Sequence, residues 1–218
     1  MREYVEVLEE AIEQYVGLPV LDRLRADPQK ALILYQESIE ATMLFMDVRS
    51  FSQYSQKLTL DSLMSELNNY LAKMSEIIIR HHGFIDSLIG DEIFAIFGIA
   101  GDHHADDACN TAVECLTTLE TYNKRADSKV PFEIGIGINS GKVVLGNIGS
   151  KYKLKFTAIG DNVNLAARME RLTAQYKCNI ILTENTMKLV TMDFQTRELD
   201  TVYAKGLEGK LNIYSLQG

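Results

Sequence analysis

The sequence predicts an α/β (α+β) fold in which helices cover a mostly antiparallel β-sheet. Apolar residues recur at helical spacing behind Thr59, which predicts one long helix over residues 60 to 82. Two β-rich runs joined through Gly90-Asp91 have the composition of a tight hairpin. Apolar residues alternate with other residues from Phe132 to Ile138, which predicts a strand. The predicted order of strand, helix, strand, strand, helix, strand is that of a ferredoxin-like βαββαβ core, with further strands and a helix added at its carboxyl end.

Residues 1 to 40 are predicted to be a helical connector in front of this fold. Four apolar side chains are spaced three, four and three residues apart, which predicts a short amphipathic helix with a heptad seam: Val5, Leu8, Ile12 and Tyr15. Gly17 and Pro19 interrupt the pattern, so short helical pieces are expected after them. Two heptads are too few for a self-sufficient coiled coil. The helix therefore either packs on its own domain or couples it to an upstream sensor domain, and the main domain is expected to span residues 41 to 218.

The elements of the main domain follow from its apolar patterns. Its first strand covers residues 42 to 48, an apolar run that Asp47 interrupts although a buried strand has no need of a carboxylate. A second helix is predicted over about residues 104 to 122, with Asp102 as its N-cap. The remaining pattern predicts a strand, a helix, a short strand, a short helix and two final strands, over residues 142–148, 162–176, 180–182, 183–190, 194–199 and 211–216.

One predicted strand has a bare face. Gly135 and Gly137 alternate with isoleucines between Phe132 and Ile138. Glycines inside a strand are typical of places where a backbone or a ligand approaches closely. We therefore expect another group to lie directly against this face.

The composition limits the location and the partners of the chain. It has 218 residues, of which 46% are hydrophobic and 24% charged, as in an ordinary folded protein. The net charge of −8 repels a polyphosphate backbone, so nucleic acid is not an expected partner. The most continuous apolar run, residues 93 to 100, is much shorter than the roughly 20 residues of a membrane helix, and no signal peptide is recognisable. Three cysteines without a CxxC pair predict neither a disulfide framework nor a zinc site, which favours a reducing cytoplasm.

Two aspartates are expected to lie together. Asp47 ends a predicted strand and Asp91 lies in the predicted hairpin, so both belong to neighbouring strand ends of one antiparallel sheet. Two carboxylates a few ångströms apart cannot both stay ionised without cations, and Mg²⁺ binds a few carboxylates together with water and substrate phosphates. A metal-bound nucleotide is therefore the expected ligand. The alternative is that each aspartate only caps a helix or forms a turn.

A second polar pair lies on the predicted helix that begins near residue 162. Asn164 and Arg168 are four residues apart and share one helix face. Arginine offers several fixed donors to a phosphate, and asparagine can hydrogen-bond a sugar or a nucleotide oxygen. The alternative is that the pair forms only the solvated side of the helix.

Three segments together resemble one protein family. They are Phe45-Met46-Asp47-Val48-Arg49-Ser50-Phe51, Leu88-Ile89-Gly90-Asp91, and the run from Phe156 through Gly160-Asp161-Asn162-Val163-Asn164 to Arg168. In this order and spacing they resemble the catalytic domain of class III adenylate and guanylate cyclases, and the resemblance covers essentially all of residues 41 to 218. It implies conversion of a nucleoside triphosphate to its 3′,5′-cyclic monophosphate and pyrophosphate, through attack of the ribose 3′-oxygen on the α-phosphorus.

The resemblance also implies a metal site. Asp47 and Asp91 would hold two divalent metal ions, Mg²⁺ or Mn²⁺, and the backbone carbonyl of Val48 would complete the second position. One metal ion would acidify the ribose 3′-hydroxyl, and the other would steady the pyrophosphate that leaves.

The resemblance assigns the phosphates and the ribose to other residues. Asn164 would orient the ribose, and Arg168 would stabilise charge on the α-phosphate. Lys205 would bind the terminal phosphate, with Lys142 as a second basic residue for the same purpose. Because the family takes the aspartates and the Asn/Arg pair of one site from opposite subunits, a homodimer with shared active sites is expected.

Base recognition is where the sequence departs from the family. Its ATP-specific members usually have Lys and Asp or Thr at the positions of Ser87 and Thr157, and guanylate cyclases usually have Glu and Cys there. Thr157 and the absence of the glutamate favour ATP and therefore cAMP signalling. Short hydroxyl side chains both donate and accept, so a guanylate cyclase or a cyclase of low base specificity is the alternative.

Two other functions are alternatives to a nucleotide cyclase of this family. Gly90-Asp91-Glu92-Ile93 is similar to the hairpin motif of diguanylate cyclases, although Ile89 replaces its first glycine and the Asn164/Arg168 segment has no role in that family. A catalytically inactive cyclase-like module for dimerisation or nucleotide sensing is the alternative from another class, and Ser87 is its only support.

Overall fold

The computed structural model describes residues 2–124, 131–203 and 209–217, without the side chains of residues 53 and 54. The helices are α1 Arg2–Val16, α2 Leu18–Ala26, α3 Pro28–Ala31, α4 Phe51–Ser55, α5 Leu60–Arg80, α6 His104–Asn123, α7 Asp161–Tyr176 and α8 Glu184–Met187. The strands are β1 Tyr35–Val48, β2 Phe84–Ile89, β3 Glu92–Phe97, β4 Ile134–Ser150, β5 Lys153–Ile159, β6 Ile180–Thr183, β7 Thr196–Tyr203 and β8 Lys210–Leu216. The predicted mixed fold with its mostly antiparallel sheet is confirmed.

One sheet carries all these strands. Its order is β2-β3-β1-β4-β6-β8-β7, with β5 paired to β4 outside this path. All pairs are antiparallel except β4 with β6. β1 and β4 pair along their length from Tyr35 opposite Asn147 to Val48 opposite Ile134. This long central pair places the end of β1, where Asp47 lies, in the middle of the sheet.

Several boundaries differ from the predictions for the strands. β1 begins at Tyr35, earlier than the predicted residue 42, and β4 continues through residues where the sequence predicted a break. The predicted break lies between the runs 132–138 and 142–148 and includes Asn139 and Ser140. In the structure both are buried, and the Ser140 hydroxyl lies 2.6 Å from that of Thr42 on β1. Since these polar groups find partners inside the fold, the strand does not have to end there.

Two predictions of local structure were wrong. Residues 153 to 159 form β5, for which no strand was predicted although Leu154, Phe156 and Ala158 alternate there with polar residues. Asp102 does not cap α6: His103 occupies the N-cap position and makes no side-chain cap hydrogen bond. The N-cap of α5 was predicted correctly, since the Thr59 hydroxyl accepts a hydrogen bond from the Ser62 backbone N–H.

Helices cover the sheet on both faces. α5 and α6 pack on one face, with Tyr70, Met74 and Cys109 among the fully buried side chains of that core. The opposite face has a smaller core in which Phe45 stacks on Phe94 with ring centroids 4.4 Å apart, and Phe156 of β5 joins it. The sheet is therefore closed to solvent over much of both faces, and functional groups must lie at strand ends and helix faces.

α7 lies directly on the bare face of β4. A Cβ atom added at Gly137 would lie 2.0 Å from the backbone nitrogen of Glu170 and 2.4 Å from the carbonyl oxygen of Ala166. One added at Gly135 would lie 2.4 Å from the Thr173 hydroxyl. The group expected against these glycines is thus the backbone of α7, and any larger residue would push this helix away from the sheet.

The N-terminal helix α1 is present as predicted, but it stands apart from the core. None of its residues is buried, and the side chains of its heptad seam are largely exposed, with Tyr15 at 90%. Within the described parts of the chain, no helix combines the length and the apolar character needed to cross a membrane.

Candidate active site

The two aspartates singled out in the sequence meet where β1 runs past the β2–β3 hairpin. Asp47 is the last residue but one of β1, and Asp91 lies in the turn between β2 and β3. β3 pairs with β1 up to Met46 opposite Ile93, which brings the hairpin turn beside Asp47. Gly90 supplies the positive φ of 65° that this tight turn requires. The two carboxyl groups are close enough to share a hydrogen bond.

Their proximity changes their ionisation. The pKa of Asp91 is raised to about 6, first by burial, then by the negative charge of Asp47 and by the hydrogen bond to it. The backbone N–H groups of Val48 and of Asp91 itself oppose this by hydrogen-bonding the carboxylate. Ionisation of both carboxyl groups is therefore unfavourable, and a cation or a proton between them lowers their repulsion.

Two more carboxylates, those of Glu170 and Glu92, lie near Asp47 and were not predicted as site residues. The pKa of Glu170 on α7 is raised to about 7, first by burial and then by the charges of Asp47 and Glu92, whereas Arg171 and Arg49 oppose the rise. The pKa of Glu92 is also raised, first by burial and then by Asp47. Glu92 directly follows Asp91 and could have been noticed. Glu170 is far from both aspartates in sequence, and only the packing of α7 on β4 brings it near them.

The donor set of this cluster suits a hard divalent cation. Carboxylate oxygens are the ligands that Mg²⁺ binds, together with water and substrate phosphates, and it usually uses only one or two protein carboxylates. Asp47 and Asp91 supply that number. Among the residues that the structure describes, no group of three or more His, Cys, Asp or Glu side chains is arranged to enclose a metal ion. An open site that needs its substrate to complete the coordination fits these observations.

A buried amide fixes the start of α7. Asn139 of β4 is fully buried, and its Nδ2 donates to the carbonyl oxygen of Asn162 at 3.0 Å and to the Asn162 Oδ1 at 3.1 Å. Its Oδ1 accepts from the Thr183 hydroxyl at 2.7 Å. The Asn162 Nδ2 donates in turn to the backbone oxygen of Lys142 at 2.9 Å. Asn139 thus anchors the first turn of the helix that carries Asn164 and Arg168, a function that its sequence context did not indicate.

Asn164 and Arg168 lie on the outer side of α7. Both are exposed, and the Nη1 of Arg168 donates to the backbone oxygen of Tyr203 at the end of β7, at 2.6 Å. In the described parts of the chain, no hydrogen bond or ion pair connects either residue with Asp47 or Asp91. Among the contacts that the structure shows, the partner of Arg168 is thus the backbone of β7.

The two residues assigned to the base lie on neighbouring structural elements. Ser87 of β2 and Thr157 of β5 are both half-buried. The two strands are joined by the edge-to-face contact of Phe84 with Phe156, at a centroid distance of 5.7 Å, and by an ion pair between Lys155 and Asp86. The structure thus places both candidate base-reading residues on strands that contact each other.

The structure describes only one of the two lysines assigned to the phosphates. Lys142 is an exposed residue of β4 opposite Glu40 of β1. Lys205 lies outside the described residues, between Tyr203 and residue 209.

An open carboxylate pair beside a β-hairpin, with a helix carrying Asn and Arg on the same sheet, defines a candidate site for a metal-bound nucleotide. Residues 33–218 match the family model described as the adenylate and guanylate cyclase catalytic domain, and the chain belongs to this family. An adenylate cyclase of Anabaena cylindrica is 35% identical over 185 residues, which are 81% of this chain and 36% of that protein.

Solved structures agree with this assignment. A bacterial light-regulated adenylyl cyclase matches with a TM-score of 0.85 over 98% of this chain and 62% of its own, and at 24% identity this likeness concerns the fold alone. The guanylyl cyclase Cya2 is 32% identical, with a TM-score of 0.71 over 84% of this chain and 93% of its own. Both nucleotide specificities thus occur among proteins similar to this chain.

The chain spans only part of its curated relatives. It covers 36% of the Anabaena protein and 10% of an adenylate cyclase of Dictyostelium discoideum, which is 31% identical over 217 residues. The family assignment therefore concerns the catalytic domain, and those relatives contain much more than this domain.

Proposed function

We propose that this domain is an adenylate cyclase, which converts ATP to 3′,5′-cyclic AMP and pyrophosphate for cAMP signalling. The observation that carries the proposal is the meeting of Asp47 and Asp91 at the end of β1, where their proximity and burial raise the pKa of Asp91 to about 6. Such a carboxylate pair lowers its own repulsion by binding a divalent cation. Family membership gives this cation site its expected chemistry.

Asp47 and Asp91 would hold two divalent metal ions, Mg²⁺ or Mn²⁺, with the backbone carbonyl of Val48 completing the second position. Bound there, the metal ions would acidify the ribose 3′-hydroxyl and neutralise charge on the triphosphate. The backbone N–H of Val48 keeps the Asp91 carboxylate in place through its hydrogen bond. The protein thus supplies two preoriented acids, and the substrate supplies the remaining oxygen ligands.

Arg168 would stabilise negative charge on the α-phosphate, and Asn164 would orient the ribose so that its 3′-oxygen faces the phosphorus. Both side chains stand exposed on α7, which Asn139 and the glycine face of β4 hold rigidly. Because the family takes the two pairs of one site from opposite subunits, and Asn164 and Arg168 are exposed, we infer a homodimer in which each active site takes Asp47 and Asp91 from one subunit and Asn164 and Arg168 from the other. Lys205, and secondarily Lys142, would bind the terminal phosphate.

Ser87 and Thr157 would contact the base, and ATP is the favoured substrate. The alternative is a guanylate cyclase or a cyclase of low base specificity, which the hydroxyl side chains at both positions favour. A catalytically inactive module and a diguanylate cyclase are the remaining alternatives. The retained Asp47, Asp91 and Arg168 argue against the first, and the family assignment of residues 33–218 argues against the second.

The N-terminal segment, residues 1 to 40, is proposed as a connector that couples the cyclase domain of residues 41 to 218 to an upstream sensor domain in the cytoplasm. The exposed apolar seam of α1 supports this role, because it buries no residue within its own chain.

The direct test incubates the purified protein with ATP or GTP and with Mg²⁺ or Mn²⁺, and measures cyclic nucleotide and pyrophosphate together. We expect equal amounts of cyclic AMP and pyrophosphate, and a kcat/KM that is higher for ATP than for GTP. A higher kcat/KM for GTP would favour the guanylate cyclase alternative. Nucleotide binding without cyclic product under any of these conditions would show an inactive module.

A further inference from the structure

An ion pair joins the two strands that carry the candidate base-reading residues. The Nζ of Lys155 on β5 lies 2.5 Å from the Oδ2 of Asp86 on β2. The Asp86 side chain is completely buried, whereas that of Lys155 is 47% exposed. The ammonium group is thus held by a buried carboxylate, at the end of a side chain that is itself partly exposed.

Each partner of this ion pair lies close along its strand to one of the two candidate readers. Lys155 and Thr157 are two residues apart on β5, so their side chains lie on the same side of the strand, while Phe156 between them turns into the core. On β2 the pairing with β3 shifts between Ile85 and Ser87, so Asp86 is the extra residue of a bulge directly before Ser87. Bulges of this kind redirect side chains and occur often next to active sites.

Discrimination between adenine and guanine requires a side chain whose hydrogen-bonding role is fixed. Adenine presents an acceptor at N1 and a donor at its 6-amino group, and guanine presents a donor at N1 and an acceptor at O6. The hydroxyls of Ser87 and Thr157 can donate or accept, so by themselves they satisfy either base. A lysine ammonium only donates, so an ammonium group aimed at N1 binds the acceptor of adenine and meets a donor on guanine. Ser87 stands where ATP-specific members of the family usually have this lysine.

We propose that Lys155 is the specificity-determining donor of the base site: it reaches from β5 into the position that Ser87 leaves without a cation on β2, and it selects adenine over guanine. Asp86 acts as its positioning residue. One N–H of the ammonium group binds Asp86, which leaves two for the base and for Thr157 or Ser87. The proposal rests on the proposed nucleotide cyclase function and names its substrate preference.

The buried carboxylate explains why the ammonium group would hold its place without the nucleotide. The second oxygen of Asp86, Oδ1, is buried and has no hydrogen-bond partner within the described residues, so Lys155 is the group that neutralises it there. Removal of one partner from such a pair leaves an uncompensated charge. Lys155 is therefore held at this position by its partner, and it does not rotate freely in solvent as a surface lysine would.

The test compares Lys155→Met with Lys153→Met, which removes the next cation on the same side of β5 and serves as the matched control. For Lys155→Met we expect kcat/KM for ATP to fall about 10- to 100-fold, the typical effect of losing a charge-assisted hydrogen bond. The value for GTP should change by less than about threefold, so that the ATP/GTP ratio falls, because guanine does not offer an acceptor at N1. Lys153→Met should leave both values unchanged. Ser87→Lys added to Lys155→Met should restore the preference for ATP, because it returns the cation from the neighbouring strand.

A purely structural ion pair gives a different result. If Lys155→Met lowers kcat/KM for ATP and GTP equally, or leaves both unchanged, the proposal is wrong, and a parent protein that prefers GTP also overturns it. Should the unpaired Asp86 unfold the variant, Asp86→Asn combined with Lys155→Met removes both charges, and the same ATP/GTP ratio is measured on that protein.

Binding separates this proposal from the proposed function. Displacement of a fluorescent ATP analogue by ATP and by GTP gives the Kd ratio of the parent and of each variant without turnover. A parent that makes no cyclic nucleotide but whose Kd ratio shifts in Lys155→Met refutes the cyclase function and supports Lys155 as the base reader. A parent that does make cyclic nucleotide but whose ratios do not shift refutes only the role of Lys155.

Discussion

Asp91→Asn is expected to stabilise the metal-free protein while it removes the activity. The folded state holds Asp91 beside Asp47, where burial and the neighbouring charge raise its pKa from the ordinary 3.8 to about 6. Ionised Asp91 therefore costs folding free energy, and the asparagine side chain removes this cost. Its Oδ1 can still accept the backbone hydrogen bonds that the carboxylate accepts from Val48 and from residue 91 itself.

The size of the gain follows from the pKa. A rise from 3.8 to about 6 corresponds to about 3 kcal/mol, at about 1.4 kcal/mol per pH unit. Because the side chain is half-exposed, solvent screening reduces this value, and we expect a gain of about 1 kcal/mol in the free energy of unfolding. In a protein of this length, that gain raises Tm by about 2 to 4 °C.

The effect of Asp91→Asn on the free energy of unfolding should depend on pH. Between about pH 4 and pH 6 the folded parent still holds the proton that the unfolded chain has released, so its free energy of unfolding falls as pH rises through this window. Above about pH 6 the cost is complete, and below about pH 4 it is absent. The advantage of Asp91→Asn should therefore be full at pH 8 and should vanish at pH 4.

The assay is thermal and urea unfolding of both proteins in a chelator, at pH 8, 6 and 4. Asp193→Asn is the matched control, because Asp193 is exposed and distant from the pair in sequence, and it should change Tm little. Added Mn²⁺ or Mg²⁺ should raise the Tm of the parent more than that of Asp91→Asn, since a cation that binds only the folded state stabilises it. A variant that is less stable than the parent at pH 8, or whose advantage is as large at pH 4 as at pH 8, would show that ionised Asp91 does not destabilise the folded state.

Three further predictions concern the shared site and α7. Asp47→Ala and Arg168→Ala should each be inactive, but an equal mixture that exchanges subunits should recover about a quarter of the parental rate. Half of its dimers are mixed, and each mixed dimer has one intact site of two. Background activity in proven mixed dimers would contradict shared sites. Gly137→Ala should lower the unfolding free energy by at least about 1 to 3 kcal/mol, because its Cβ would overlap the backbone of α7, and an unchanged urea midpoint would disagree with that packing. Asn139→Ala should lower kcat while the KM for ATP changes little, because it loosens the helix that carries Arg168. It should also lower the free energy of unfolding by about 1 to 3 kcal/mol. Unaltered steady-state kinetics would contradict a positioning role for Asn139.

Local chemistry made much of the fold predictable. The helix that begins after Thr59 and the hairpin through Gly90-Asp91 depend on periodicity, on a cap and on a turn, which are all written in neighbouring residues. Asp47 was noticed because a carboxylate has no place in an apolar strand unless it has a function. These features need no knowledge of the tertiary fold, and the structure places them where the sequence predicted them.

Features that depend on distant partners were missed. Lys155 of β5 has a partner only because the fold brings Asp86 of β2 beside it, and no local pattern predicts this ion pair. The anchoring role of Asn139 was missed, because its partners Asn162 and Thr183 come from elements far along the chain. Glu170 joins the acidic cluster only through the packing of α7 on glycines, and no local pattern predicts this contact.

The most direct test of the account is the rate of cyclic AMP formation by Asp47→Asn, measured with saturating Mg²⁺- or Mn²⁺-ATP against the parent and Asp193→Asn. Loss of a group that only supports a metal ligand costs about 10- to 100-fold, so loss of the ligand itself should lower the rate by at least about 100-fold, while circular dichroism and dimerisation stay unchanged. Formation of cyclic AMP by Asp47→Asn at the parental rate would contradict the assignment of the carboxylate pair as the centre of catalysis.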